Sequence, residues 1–76
     1  MEIKMPKLDV TMTEGTFIGW LVPDGSAVVE GDDLYTVSTD KVEVDVPAPA
    51  DGVVRHGDVE ADETYPVGTP LGRLES

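Results

Sequence analysis

Seventy-six residues without a cysteine, carrying sixteen acidic side chains against five basic ones for a net charge of -11, describe one small and strongly acidic domain, residues 1–76. A chain this short buries only about 60–70% of its unfolded surface, which leaves little to wall a substrate cavity and points away from an enzyme acting alone. The charge opposes nucleic acid and anionic membrane as partners, and the missing cysteines exclude disulfides, a thiol nucleophile and a thiolate metal site.

Twelve valines, two isoleucines and seven threonines make the chain rich in β-branched residues, while eight glycines and six prolines interrupt it at short intervals. No stretch carries the 3.6-residue apolar period of an amphipathic helix. Strands are expected at residues 2–5, 15–22, 26–29, 33–39, 42–47, 52–57, 64–66 and 71–75. Turns fall at Pro23-Asp24-Gly25, Glu30-Gly31-Asp32, Asp51-Gly52 and Val67-Gly68. Phe17, Trp20 and Leu34 are expected in the core. His56, the only histidine, is expected at the surface near a turn, so no catalytic triad or histidine metal pair can form. The acids at Asp32-Asp33 and from Asp58 to Glu63 lack the ligand spacing of a calcium loop, and no metal site is expected.

The chain also repeats. A shift of 37 residues places Gly15 on Gly52, Val22 on Val59, Gly31 on Gly68 and Leu34 on Leu71. Met5-Pro6 matches Val46-Pro47 if the first copy carries about four extra residues, which puts an insertion within Leu8 to Thr13. Two copies of a four-strand unit, about 1–39 and 42–76, imply two small sheets with pseudo-two-fold symmetry closing on a shared core. The fold class is therefore all-β, with two small four-stranded sheets.

Between the copies lies Val37-Ser38-Thr39-Asp40-Lys41-Val42-Glu43-Val44. A two-residue turn at Asp40-Lys41 pairs residues whose numbers sum to 81. Thr39 then faces Val42, Val37 faces Val44 and Tyr35 faces Val46 on one side. Ser38 with Glu43 and Thr36 with Asp45 occupy the other. The turn has no glycine, so a primed hairpin turn is not assured. Lys41, one of only three lysines, stands at the tip. An exposed turn lysine is also an ordinary surface residue; its scarcity and its place at the junction of the halves single it out.

In these residues the chain resembles the lipoyl domains of 2-oxo acid dehydrogenase complexes. The shared features are Met5-Pro6, Glu14-Gly15-Thr16-Phe17, Trp20, Gly25, Val28, Gly31 and Leu34, then Thr39-Asp40-Lys41-Val42 and Asp45 to Gly52. The resemblance implies a flattened β-barrel or sandwich of two four-stranded antiparallel sheets with pseudo-two-fold symmetry. It implies a non-catalytic carrier domain of an acyltransferase component, with lipoic acid in amide linkage on Lys41. It implies as partners a lipoate-attaching enzyme, a thiamine-dependent 2-oxo acid decarboxylase, the acyltransferase core and a dihydrolipoamide dehydrogenase. The domain itself would be monomeric, and cytoplasmic or, in a eukaryote, in the mitochondrial matrix; the absence of cysteine agrees with an intracellular setting. Thr39, Asp40, Val42 and Glu43 would serve recognition at the lysine, with Val42 partly buried as a register anchor. The loop carrying Leu8, Asp9, Val10 and Thr11 would lie beside the turn and help the decarboxylase choose its domain; ordinary tolerance of an insertion is the alternative.

One departure is Ser38, where family members often have glutamate. Two other readings remain at this point. One is a biotin carrier of the same fold, whose lysine is usually bracketed by methionines where this chain has Asp40 and Val42. The other is an unmodified acidic docking module.

Overall fold

The longest stretch free of glycine and proline, residues 32–46, is rich in β-branched residues and lacks a 3.6-residue apolar period, so strands form in place of a helix. The computed structural model describes all of residues 1–76 and contains strands only. They are β1 (Glu2–Lys4), β2 (Glu14–Trp20), β3 (Ala27–Val28), β4 (Asp33–Ser38), β5 (Glu43–Pro47), β6 (Gly52–His56), β7 (Glu63–Pro66) and β8 (Pro70–Glu75). Every expected strand is present, with ends displaced by two residues or fewer.

The strands form two four-stranded antiparallel sheets in the orders β1-β8-β6-β3 and β5-β4-β2-β7. Exchanging β1 with β5, β2 with β6, β3 with β7 and β4 with β8 turns one order into the other. Backbone hydrogen bonds carry the same symmetry. The Gly25 N–H donates to Val54 O and the Asp62 N–H to Phe17 O, each at 2.7 Å. Gly31 and Gly68 occupy equivalent turns with φ of 95° and 90°. Asp62 takes the place of Gly25 and keeps its left-handed backbone, with φ of 66° against 86°; aspartate is among the few side chains that tolerate this region.

Hydrogen bonding also corrects the alignment of the first strand. Met5 donates to Thr69 O and accepts from Gly68 N, as Ala48 donates to Asp32 O and accepts from Gly31 N. Met5-Pro6 therefore corresponds to Ala48-Pro49, not to Val46-Pro47. Eight residues separate Met5 from Glu14 where two separate Ala48 from Asp51, so the first copy carries six extra residues rather than four. Register irregularities at Ile3/Lys4 and between Asp33 and Tyr35 hide this offset from a comparison of residue types.

The molecule measures 32 × 22 × 17 Å. Its thinnest dimension suits two sheets at about 10 Å separation plus their outer side chains. Phe17, Leu34, Val37, Val54 and Leu71 are almost wholly buried between them. Trp20, by contrast, is only partly buried against the core. Its indole forms edge contacts with Phe17 and Tyr35, with ring centroids 5.5 and 5.3 Å apart, and its buried Nε1–H has no acceptor.

His56 lies at the surface, as expected, but is half-buried there. Its ring stacks on Trp20 at 4.5 Å and 5°, and its Nε2 lies 2.9 Å from Val22 O. The end of β6 brings it over the indole, an arrangement invisible to local residue pattern.

Tyr35 gives this core a pH dependence. Burial pushes its phenol from the ordinary 10 up to about 12, while the hydroxyl donates to Lys4 O at 3.2 Å. Between pH 10 and 12 the unfolded chain loses this proton and the native one retains it. Stability from this group is thus complete below pH 10 and lost as pH rises through 12. The expected loss is about 2–3 kcal/mol. Urea unfolding at stepped pH should show it, and Tyr35→Phe should remove that part of the alkaline slope.

Candidate functional site

The β4–β5 hairpin forms in the expected register. Ser38 pairs with Glu43, Val37 with Val44, Thr36 with Asp45 and Tyr35 with Val46, and the Thr39 N–H donates to Val42 O at 2.8 Å. Val37 and Tyr35 are buried and Val44 and Val46 half-buried, so this face enters the core. Thr36 is also buried, and its hydroxyl donates to Asp45 Oδ1 at 2.8 Å. That bond occupies one carboxylate and fixes the outer rung.

The hairpin then overshoots the core. Val42 continues the inward face of Val44 and Val46 one rung further and is 51% exposed. This corrects the expectation of a partly buried register anchor: the alternation runs on in sequence after the covering layer has ended. Asp40 and Lys41 are exposed at the tip, and the Lys41 Nζ makes no ion pair or hydrogen bond. The primary amine is therefore free to be acylated. Lys4, in contrast, pairs with Glu2 at 3.5 Å.

The turn is not of a primed type. Its residues have no positive φ, the chain's only such non-glycine being Asp62, whereas primed turns require positive φ at one or both central positions. Instead the Thr39 side chain closes it. Thr39 Oγ1 accepts the N–H groups of Lys41 at 3.3 Å and Val42 at 3.2 Å.

A shallow groove of about 390 Å³ runs beside the turn, bounded by Ser38, Thr39, Asp40 and Lys41 on one side and by Asp9 and Thr11 to Thr16 on the other. The insertion between β1 and β2 thus lies against the lysine turn. Asp9 and Thr11 line the groove, while Leu8 and Val10 do not; Val10 is 88% exposed. The loop has a defined shape. Asp9 Oδ1 accepts both the N–H and the hydroxyl of Thr11 at 3.1 and 3.2 Å, the Met12 N–H donates to Asp9 O at 3.0 Å, and the Leu8 N–H to Met12 Sδ at 3.2 Å.

Met12 was not legible as a site residue. It is buried, lines the floor of the groove and anchors the loop to the core. Gly15 makes room for it: a Cβ there would stand 2.7 Å from the Met12 methyl. The groove walls carry Asp9, Glu14 and Asp40, and Lys41 is their only cation. Both arginines are bound elsewhere by Glu75, at 3.0 and 3.1 Å.

Known proteins share this fold. The biotin/lipoyl family model, described as "Biotin-requiring enzyme", matches residues 1–74. The solution structure of the lipoyl domain of the 2-oxoglutarate dehydrogenase complex from Azotobacter vinelandii superposes with a TM-score of 0.81 at 32% identity, covering 100% of this chain and 96% of that one. The chain belongs to the biotin/lipoyl family and, within it, to the lipoyl domains.

Two acyltransferase components are similar to it at 42% identity. One is the dihydrolipoyllysine-residue acetyltransferase component of the pyruvate dehydrogenase complex of Mycobacterium bovis, with 95% of this chain and 13% of that protein aligned. The other belongs to the acetoin cleaving system of Pseudomonas putida, with 91% and 19% aligned. The chain thus spans less than a fifth of either protein.

Proposed function

We propose that Lys41 carries lipoic acid as an amide and that the domain presents it to successive active sites of a 2-oxo acid dehydrogenase-type complex. The observation that carries this is an unpaired, exposed primary amine at the tip of a side-chain-closed turn in a lipoyl-domain fold. The attached dithiolane supplies acyl and electron transfer; the chain supplies display. The Thr36–Asp45 bond and the buried Val37 hold the hairpin in one register, so the lysine leaves the body from a fixed point. An arm on a tethered domain raises the concentration of its reactive end at each partner.

The partners of this reading are a lipoate-attaching enzyme, a thiamine-dependent decarboxylase, an acyltransferase core and a dihydrolipoamide dehydrogenase, in the cytoplasm or mitochondrial matrix. Asp40, Glu43 and the groove residues Asp9 and Thr11 form the surface they meet. Its uncompensated acidity suits basic binding faces. Ser38 replaces the glutamate frequent in the family, yet Glu43 places a carboxylate on the same rung of the hairpin.

Intact mass spectrometry on the chain produced with lipoate supplied tests the proposal. One lipoyl increment, mapped to the peptide containing Lys41, is expected. A biotinyl increment would move the chain to the other branch of its family. An unmodified mass in the presence of an active lipoate ligase would refute the carrier role.

A further inference from the structure

We infer that Thr39 is a positioning residue for acylation of Lys41: its hydroxyl, rather than a glycine, shapes the turn that the modifying enzyme reads. The inference rests on the carrier reading above and deepens it.

Two-residue hairpins ordinarily use primed turns, because only those match the right-handed twist of the flanking strands. Asp40 and Lys41 do not adopt the positive φ that such turns need. An unprimed turn at this position splays its strands, and the Val42 N–H must find an acceptor. Thr39 provides one: Oγ1 accepts from Val42 at 3.2 Å and from Lys41 at 3.3 Å. One hydroxyl thereby ties down both peptide units that flank the lysine Cα. Across the same rung the Thr39 N–H donates to Val42 O at 2.8 Å, so the hydroxyl and the backbone close the tip together. Serine and threonine hydroxyls stabilise turns by this kind of local bond to backbone donors.

The consequence reaches the chemistry through geometry. In the modification the neutral Lys41 amine attacks the acyl carbon of a phosphate mixed anhydride of lipoic acid. The N–C bond forms, the acyl–O–P linkage breaks at the acyl carbon, the phosphate ester leaves, and the amine proton passes to solvent. What the chain contributes is the direction in which the amine emerges, and Thr39 sets it.

Three matched measurements on the 76-residue chain test this: the initial rate of lipoylation by a lipoate ligase, amide hydrogen exchange at Lys41 and Val42, and the urea midpoint. Thr39→Val keeps the shape and β-propensity of threonine and removes the oxygen. It is expected to lower the lipoylation kcat/KM about tenfold and to speed exchange at the Lys41 and Val42 amides. Amides of Thr36 and Val37 should not change, and the midpoint should shift little. Thr39→Ser should restore both rate and protection.

Wild-type rates in Thr39→Val, or accelerated exchange with no loss of rate, would overturn the positioning role. A loss of rate in Thr39→Ser as large as in Thr39→Val would overturn it as well, by showing that the methyl is what matters. Failure of the wild-type chain to accept lipoate would instead refute the carrier reading, while the exchange comparison would still report on the turn.

Discussion

Lys41→Gln is expected to abolish lipoylation completely while leaving the unfolding free energy within about 0.5 kcal/mol of the parent value. The asymmetry follows from the position of the side chain. Lys41 is exposed, its Nζ has no partner, and the turn is closed by Thr39 and by backbone, not by the lysine. Removing the amine takes away the nucleophile and nothing that holds the hairpin. Lys4→Gln and Lys7→Gln are the informative controls. Lys4 lies on β1 beside Glu2, whereas Lys7 is exposed outside any strand. If exposure alone chose the target, Lys7 would be modified too; if the turn chooses it, both control variants keep a single lipoyl group on Lys41. Modification persisting in Lys41→Gln would place the attachment elsewhere and undo the assignment.

The register of that hairpin was legible because its two faces differ in kind. Val37, Val44, Tyr35 and Val46 could be buried only together, and a slip of one residue would have placed Glu43 and Asp45 in the core. The strands were legible for the same reason, and glycines and prolines marked the turns. What escaped depended on where the body ends and on contacts between distant segments. Val42 satisfies the alternation as well as Val44 does, and only the extent of the opposing layer leaves it exposed. Met12 ends the alternating run Leu8-Asp9-Val10-Thr11-Met12, whose other apolar residues are exposed, so nothing local tells that it alone is buried. His56 meets Trp20 across 36 residues of sequence. The six-residue insertion reads as four in the sequence because Met5-Pro6 resembles Val46-Pro47 more closely than the Ala48-Pro49 that shares its hydrogen bonds. At the site, the lysine and its flanking acids were legible from residue type, but the closure of the turn by Thr39 required coordinates.

Phe17→Ala is expected to remove most of the domain's stability and, through it, the modification of an intact Lys41. Phe17 is 1% exposed and packs against Trp20 and Tyr35 at ring-centroid distances of 5.5 and 5.9 Å. It also lies on β2, which pairs with both β4 and β7. Its carbonyl accepts from Asp62, in the bond that mirrors Gly25 to Val54. Truncation to alanine typically costs about 3–5 kcal/mol, against a total of about 4–11 kcal/mol for a chain of this length. Phe17→Leu, which refills most of the volume, should lose about 1–2 kcal/mol and remain folded. Urea unfolding followed by the fluorescence of Trp20 gives both values. The same samples then separate two ways of recognising the lysine. If the attaching enzyme reads the folded hairpin, the lipoylation rate of Phe17→Ala tracks its folded fraction and recovers when an added osmolyte refolds it. If the enzyme reads only Thr39-Asp40-Lys41-Val42 as a linear segment, the rate is unchanged in the unfolded variant. The second result would leave Lys41 as the attachment point but would remove the reason for a symmetrical eight-stranded body behind it.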